Sequence, residues 1–120
     1  MQWGLGSWES GGFVLAIVVL NQMANIGATT CFALSGRSHD VRTFVVWQIV
    51  GGMFGLCIQL TFAGMARYST LPFANSVGIG LAFVSVQVVS AFLFFHTSFS
   101  MLQWAGTVLV LAGVLCVALG

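Results

Sequence analysis

The chain has 120 residues, 59% of them hydrophobic and only 4% charged, with a formal net charge of +1. A soluble domain carries about 25% charged residues, so this composition excludes a water-coated globular protein. The near-neutral balance excludes a nucleic-acid partner, which would need a basic patch.

The charged residues all lie in short polar stretches: Glu9; Arg37, Asp40 and Arg42; Arg67. Between them run four apolar segments, at about 12–35, 43–66, 72–95 and 101–119. About 20 helical residues cross a bilayer core. Inside lipid every backbone amide must bond within its own segment, which suits helices. A membrane barrel would need alternating segments of about ten residues, and none occur. The expected fold is all-α: one integral membrane domain over 1–120, a bundle of four transmembrane helices.

The first 11 residues hold no Lys or Arg, and the first apolar run is too long for a signal peptide's core, so no cleaved leader is expected. Trp3 and Trp8 suit an interfacial anchor. In the first segment Asn21, Asn25 and Thr29 recur at i, i+4 and i+8, with Gln22 beside Asn21. Residues so spaced share one helical face. "SGRSHDVRT" follows, the only polar loop of any size. The second segment carries Gln48, Gly52, Gly55 and Gln59 at spacings of 4, 3 and 4. "RYSTL" links it to the third, where Thr70 offers a hydroxyl cap and Pro72 sits in the first turn. The third segment carries Ser76, Gly80, Phe83, Gln87 and Ser90. "HTSFS" leads on, with His96 in the loop, and Ser100 with Gln103 reads as a capping box for the fourth helix. Short links make sequential helices antiparallel neighbours.

Three segments thus bear a stripe of amides, hydroxyls and glycines. Such stripes turn away from lipid, toward each other or toward a cavity. The candidate cavity residues are Asn21, Gln22, Asn25, Thr29, Gln48, Gln59, Ser76 and Gln87, and Asn25 is expected near Gln48 or Gln87. Packing between helices is the competing role for each of them. No Asp, Glu or Lys lies within a span. A proton- or sodium-coupled carrier needs such a group near mid-membrane, and amides do not titrate. No base–nucleophile pair or phosphate loop appears, so no enzyme is expected. The three cysteines lack metal-ligand spacing and read as small packing residues. No metal or cofactor is implied. An even helix count puts both termini on one side. Two arginines against one favour that side being outside, and so small a bias also permits dual insertion.

"ANIGATTCFALS", residues 24–35, resembles the first helix of the small multidrug resistance family, within the drug/metabolite transporter superfamily. That helix reads Ala-Glu-x-x-Gly-Thr-Thr, then apolar residues and a Ser. The family's membrane Glu falls on Asn25, and Thr29 and Thr30 match its Thr pair. "VGIG", residues 77–80, is similar to the Gly-x-Gly bend of the third helix. "WAGTVLVLAGVLCV", residues 104–117, resembles the fourth, whose Gly-x6-Gly-Val pattern forms a dimer contact. On this chain the pattern falls on Gly106, Gly113 and Val114. The family's third-helix Trp has no counterpart around residues 76–78. With the Glu also lost, the resemblance implies something other than proton-coupled drug export. It implies a homodimer or heteromeric subunit in the inner membrane of a bacterium, moving a small polar solute or a lipid-linked sugar. The rival expectation is a non-catalytic accessory subunit of a larger, energy-converting membrane complex.

Overall fold

The computed structural model describes the backbone of residues 7–120 and the side chains of residues 11–120. Trp3, and the side chains of Trp8 and Glu9, lie outside the described residues. Four helices form: α1 (Ser7–Gly36), α2 (Val41–Tyr68), α3 (Leu71–Phe94) and α4 (Met101–Leu119). All four are long and apolar enough to cross a membrane. The protein is an all-α membrane protein, as its composition requires.

The helix ends follow local chemistry. Asp40 caps α2, its carboxylate accepting from the Thr43 N–H at 3.1 Å. The Thr70 hydroxyl accepts from the Phe73 N–H ahead of α3, with Pro72 in the first turn. Ser100 and Gln103 close a reciprocal capping box at 2.9 and 3.2 Å. Each satisfies amides that the first helical turn leaves without partners.

Helix α3 is not a plain α-helix. Residues Ser76–Leu81 and Val86–Phe94 wind as π-helix, separated by one α-helical turn at Ala82–Ser85. Its end shows the wide register directly, the Phe95 N–H donating to the Ser90 carbonyl at 3.0 Å. His96 then takes a left-handed conformation, φ 53°, which stops the helix.

Helix α1 lies between α2 and α3, and α4 packs on α3. The α1–α2 seam sets rings against glycines: a Cβ on Gly27 would stand 2.9 Å from the Phe54 ring, and one on Gly51 2.5 Å from Phe32. Helices α2 and α3 touch at their connected ends, where Phe62 covers Gly78. A small core of Ile17, Met65, Ala74 and Val77 fills that end. The Cα envelope measures 50 × 35 × 18 Å. The array is therefore flat, and Leu20, Val46, Leu60 and Leu109 line its exposed faces, as hydrocarbon requires.

Candidate functional site

Asn21 is fully buried between α1 and α2. Its amide donates to the Thr61 hydroxyl at 2.9 Å and to the Ile58 carbonyl at 3.4 Å. Its carbonyl oxygen accepts from Gln22 at 3.3 Å and Asn25 at 3.1 Å. Gln22, next on the helix, turns the other way. It donates to the Val77 carbonyl at 3.1 Å and accepts from the Ser85 hydroxyl at 2.8 Å. Together the two amides tie α1 to both neighbours. Nearer the loops, the hydroxyls of Thr30 and Ser90 stand 2.8 Å apart and tie α1 to α3 again.

One turn beyond Asn21, α2 and α3 draw apart over α1. The gap is a cleft with two connected hollows of about 420 and 260 Å³. Asn25 lies in the first, walled by Ile58 of α2 and by Ile79, Phe83 and Gln87 of α3. Thr29, Val86 and Gln87 line both hollows. The second reaches the loop end, where Arg37, Phe95 and Thr97 line it. The Asn25 amide nitrogen donates back to the Asn21 carbonyl at 2.9 Å. Its own carbonyl oxygen, and the side chains of Thr29, Gln87 and Thr97, have no hydrogen-bond partner among the described residues. Asn25 and Gln87 are half-buried, while Thr29 and Thr97 are exposed at the opening, and this unused hydrogen-bonding capacity fits a polar occupant of the cleft.

The structure separates other residues that the stripes had grouped. Gln48 does not approach Asn25; it donates to Ser35 at 3.0 Å near the loop end. Gln59 is exposed on the outside of α2. Nothing in the structure would meet a Cβ on Gly52 or Gly55, which share its outward stripe. The inward face of α2 is instead Gly51, Phe54, Ile58, Thr61 and Met65. Neighbouring helical residues point about 100° apart, so a stripe displaced by one position looks elsewhere. On α3 the π turns dephase the expected face. Ser76 bonds its own helix at the Phe73 carbonyl, Gly80 meets α4, Gln87 lines the cleft, and Ser90 meets α1.

The fourth helix divides likewise. Val114 is buried against Gly80, so it packs α4 on α3 rather than facing a second chain. A valine directly after Gly113 must leave that glycine's face. A Cβ on Gly106 or Gly113 would meet nothing within 4 Å among the described residues. The sequence stripes passed over Thr61, Ser85 and Thr30, each the polar partner of a group across a seam. The signal was available: a hydroxyl within an apolar span also needs a partner. Arg37 and Thr97 were passed over because they sit in loops.

No cluster of three metal-ligating side chains occurs among the described residues. Cys31 is buried in the α1–α2 seam, while Cys57 and Cys116 are exposed.

No model of a known protein family matches the chain, and no solved structure does. A stretch of 54 residues is 32% identical to the leucyl/phenylalanyl-tRNA–protein transferase of Nitrosomonas eutropha (strain DSM 101675 / C91 / Nm57). It takes in 45% of this chain and 23% of that protein. The chain thus spans under a quarter of the relative's length, a share too small to carry that protein's activity across.

Proposed function

We propose that the protein is a transporter or flippase subunit of the drug/metabolite transporter type. It moves a small polar solute or a lipid-linked sugar, with no proton-coupling acid of its own. The supporting observation is the cleft, where Asn25, Thr29 and Gln87 line a space with hydrogen-bonding capacity left unused. Amides and hydroxyls recognise hydroxyl-rich groups without titrating. The flat array covers the cleft on one side only, so a second copy or a partner subunit completes the enclosure. Gly106 and Gly113 offer it a close approach on α4. The bacterial inner membrane is the setting this reading implies.

A specific observation favours a second reading. Asn21 and Gln22 spend their amides in bonds between helices, as in a subunit that only packs its neighbours inside a larger complex. Purification in mild detergent separates the two. A dimer supports transport, and stoichiometric recovery with a large complex supports the accessory role. For transport itself, purified protein in liposomes is expected to move a labelled polyprenyl-linked sugar between leaflets without proton flux. Robust proton antiport abolished by Asn25→Ala would overturn this reading.

A further inference from the structure

The loop end of the cleft carries a cation. The Arg37 guanidinium lies over the Phe95 ring, 4.2 Å from its centroid. A ring face holds the planar group in place while leaving its N–H edges free to donate. No carboxylate pairs with Arg37 among the described residues. Asp40, in the same loop, is turned to the Thr43 N–H at the start of α2. Thr97 lines the same hollow with its hydroxyl unbonded. Thr29 and Gln87 continue the polar lining inward, and Ile58, Ile79 and Phe83 make the walls apolar.

Each part constrains the ligand. A guanidinium in a cleft without acids repels cations and favours an oxyanion that can accept two parallel N–H bonds, as a phosphate does. Neutral donors and acceptors deeper in the cleft suit an uncharged polar group. Apolar walls opening sideways suit a hydrocarbon tail. Building on the transport reading above, we propose that Arg37 and Thr97 hold the phosphate of an anionic amphiphile. Its uncharged polar head lies along Thr29 and Gln87, and its tail leaves between α2 and α3 into lipid. The same phosphate chemistry could come from a soluble sugar phosphate. The opposing explanation is an arginine that merely anchors at the membrane surface. That role would fall equally on Arg42, which lies in the first turn of α2 just past the loop and does not line the cleft.

The test uses the full chain in phosphatidylcholine nanodiscs, titrated with a short polyprenyl phosphate and read by native mass spectrometry. Saturable binding is expected. Arg37→Gln should weaken it roughly tenfold or more, as loss of a charge-assisted contact does. Arg37→Lys should restore part of it, and Arg42→Gln should leave it unchanged. If Arg37→Gln fails to fold, Phe95→Leu, which releases the guanidinium, should still weaken binding. Equal binding of the neutral polyprenol, or equal loss in Arg42→Gln, overturns the site. Full competition by a soluble hexose phosphate keeps the phosphate position and overturns the lipid as its source. Movement between leaflets is measured separately. Arg37-dependent binding without movement sinks the transport reading and keeps the site. Movement untouched by Arg37→Gln does the reverse.

Discussion

Asn21 and Asn25 are the same residue one helical turn apart, and they end in opposite states. Asn21 meets Thr61 across a closed seam and has every polar atom engaged. Asn25 meets Ile58 and an opening, and its carbonyl oxygen is left over. The neighbours make the difference: a threonine on α2 closes the seam at one level, and the divergence of α2 from α3 opens it at the next. Glycines divide the same way. Gly80 receives the Val114 side chain, while Gly113 faces open space. A polar or small residue in a membrane helix is therefore not yet a site. What stands opposite decides.

The largest effect is expected at the glycines. Gly80→Leu puts a side chain where Val114 already lies, and overpacking typically costs about 1–3 kcal/mol. Gly113→Leu should leave stability within about 0.5 kcal/mol, the usual range for a surface change. Its bulk should instead reduce association with a second chain. Unfolding in mixed micelles, followed by the fluorescence of Trp47 and Trp104, reads the first effect; sedimentation in detergent reads the second. Equal stability losses in the two variants would erase the contrast. Unchanged association in Gly113→Leu would remove α4 as a contact.

The amides come next. Asn21→Leu removes the hub of four hydrogen bonds, while Thr61 keeps its bonds to the Cys57 and Ile58 carbonyls and Gln22 keeps those to Val77 and Ser85. Polar contacts between membrane helices are worth about 0.6–2 kcal/mol, so a loss of roughly 2 kcal/mol is expected. Asn25→Leu loses only bonds to its own helix and sets an apolar side chain beside Ile58, Ile79 and Phe83 in the cleft, so stability should change little. The same unfolding assay checks both. If Asn25→Leu is as damaging as Asn21→Leu, Asn25 is packing glue, and the accessory-subunit reading gains at the transporter's expense.

The helices and their caps were legible in the sequence because their causes are local. A run of about 20 apolar residues spans. Thr70 before Pro72, and Ser100 before Gln103, work within four residues of themselves. The predicted run at 101–119 coincides with α4, whereas α1 starts earlier than 12, because Gly11 and Gly12 do not break a helix whose fold is set by lipid. The facing of the stripes was less legible. Asn25, Thr29 and Gln87 do share a cleft. Gln48 and Gln59 leave it, because the inner face of α2 is fixed by Phe54, Ile58 and Thr61, only one of them polar. The π turns of α3 shift its phase without any Gly or Pro pattern that spells them out. Arg37 entered the sequence reading only as a topology marker, because its nearness to Phe95 spans 58 residues of chain.

The smallest effect belongs to the loop that borders the open end of the cleft. The hydrogen bond with Thr43 holds the Asp40 carboxyl below its usual value of 3.8. A carboxylate whose folded pKa is depressed adds stability that is fully present above the unfolded pKa and is lost as pH falls through the folded one. The contribution from Asp40 is therefore intact at neutral pH and disappears only below about pH 3.8. Asp40 is fully exposed, so solvent screens the gain and keeps it small. Asp40→Ala should loosen the first turn of α2, seen as faster amide exchange at Thr43 and Phe44 with the exchange of the Asn21 seam unchanged. In the wild-type chain the same loosening should appear on acidification and not on raising the pH from 5 to 8. If protection at Thr43 is independent of pH and survives Asp40→Ala, the cap does not hold this end of α2. If acid instead loosens the Asn21 seam first, the closed half depends on charge, and the contrast between Asn21 and Asn25 needs a different cause.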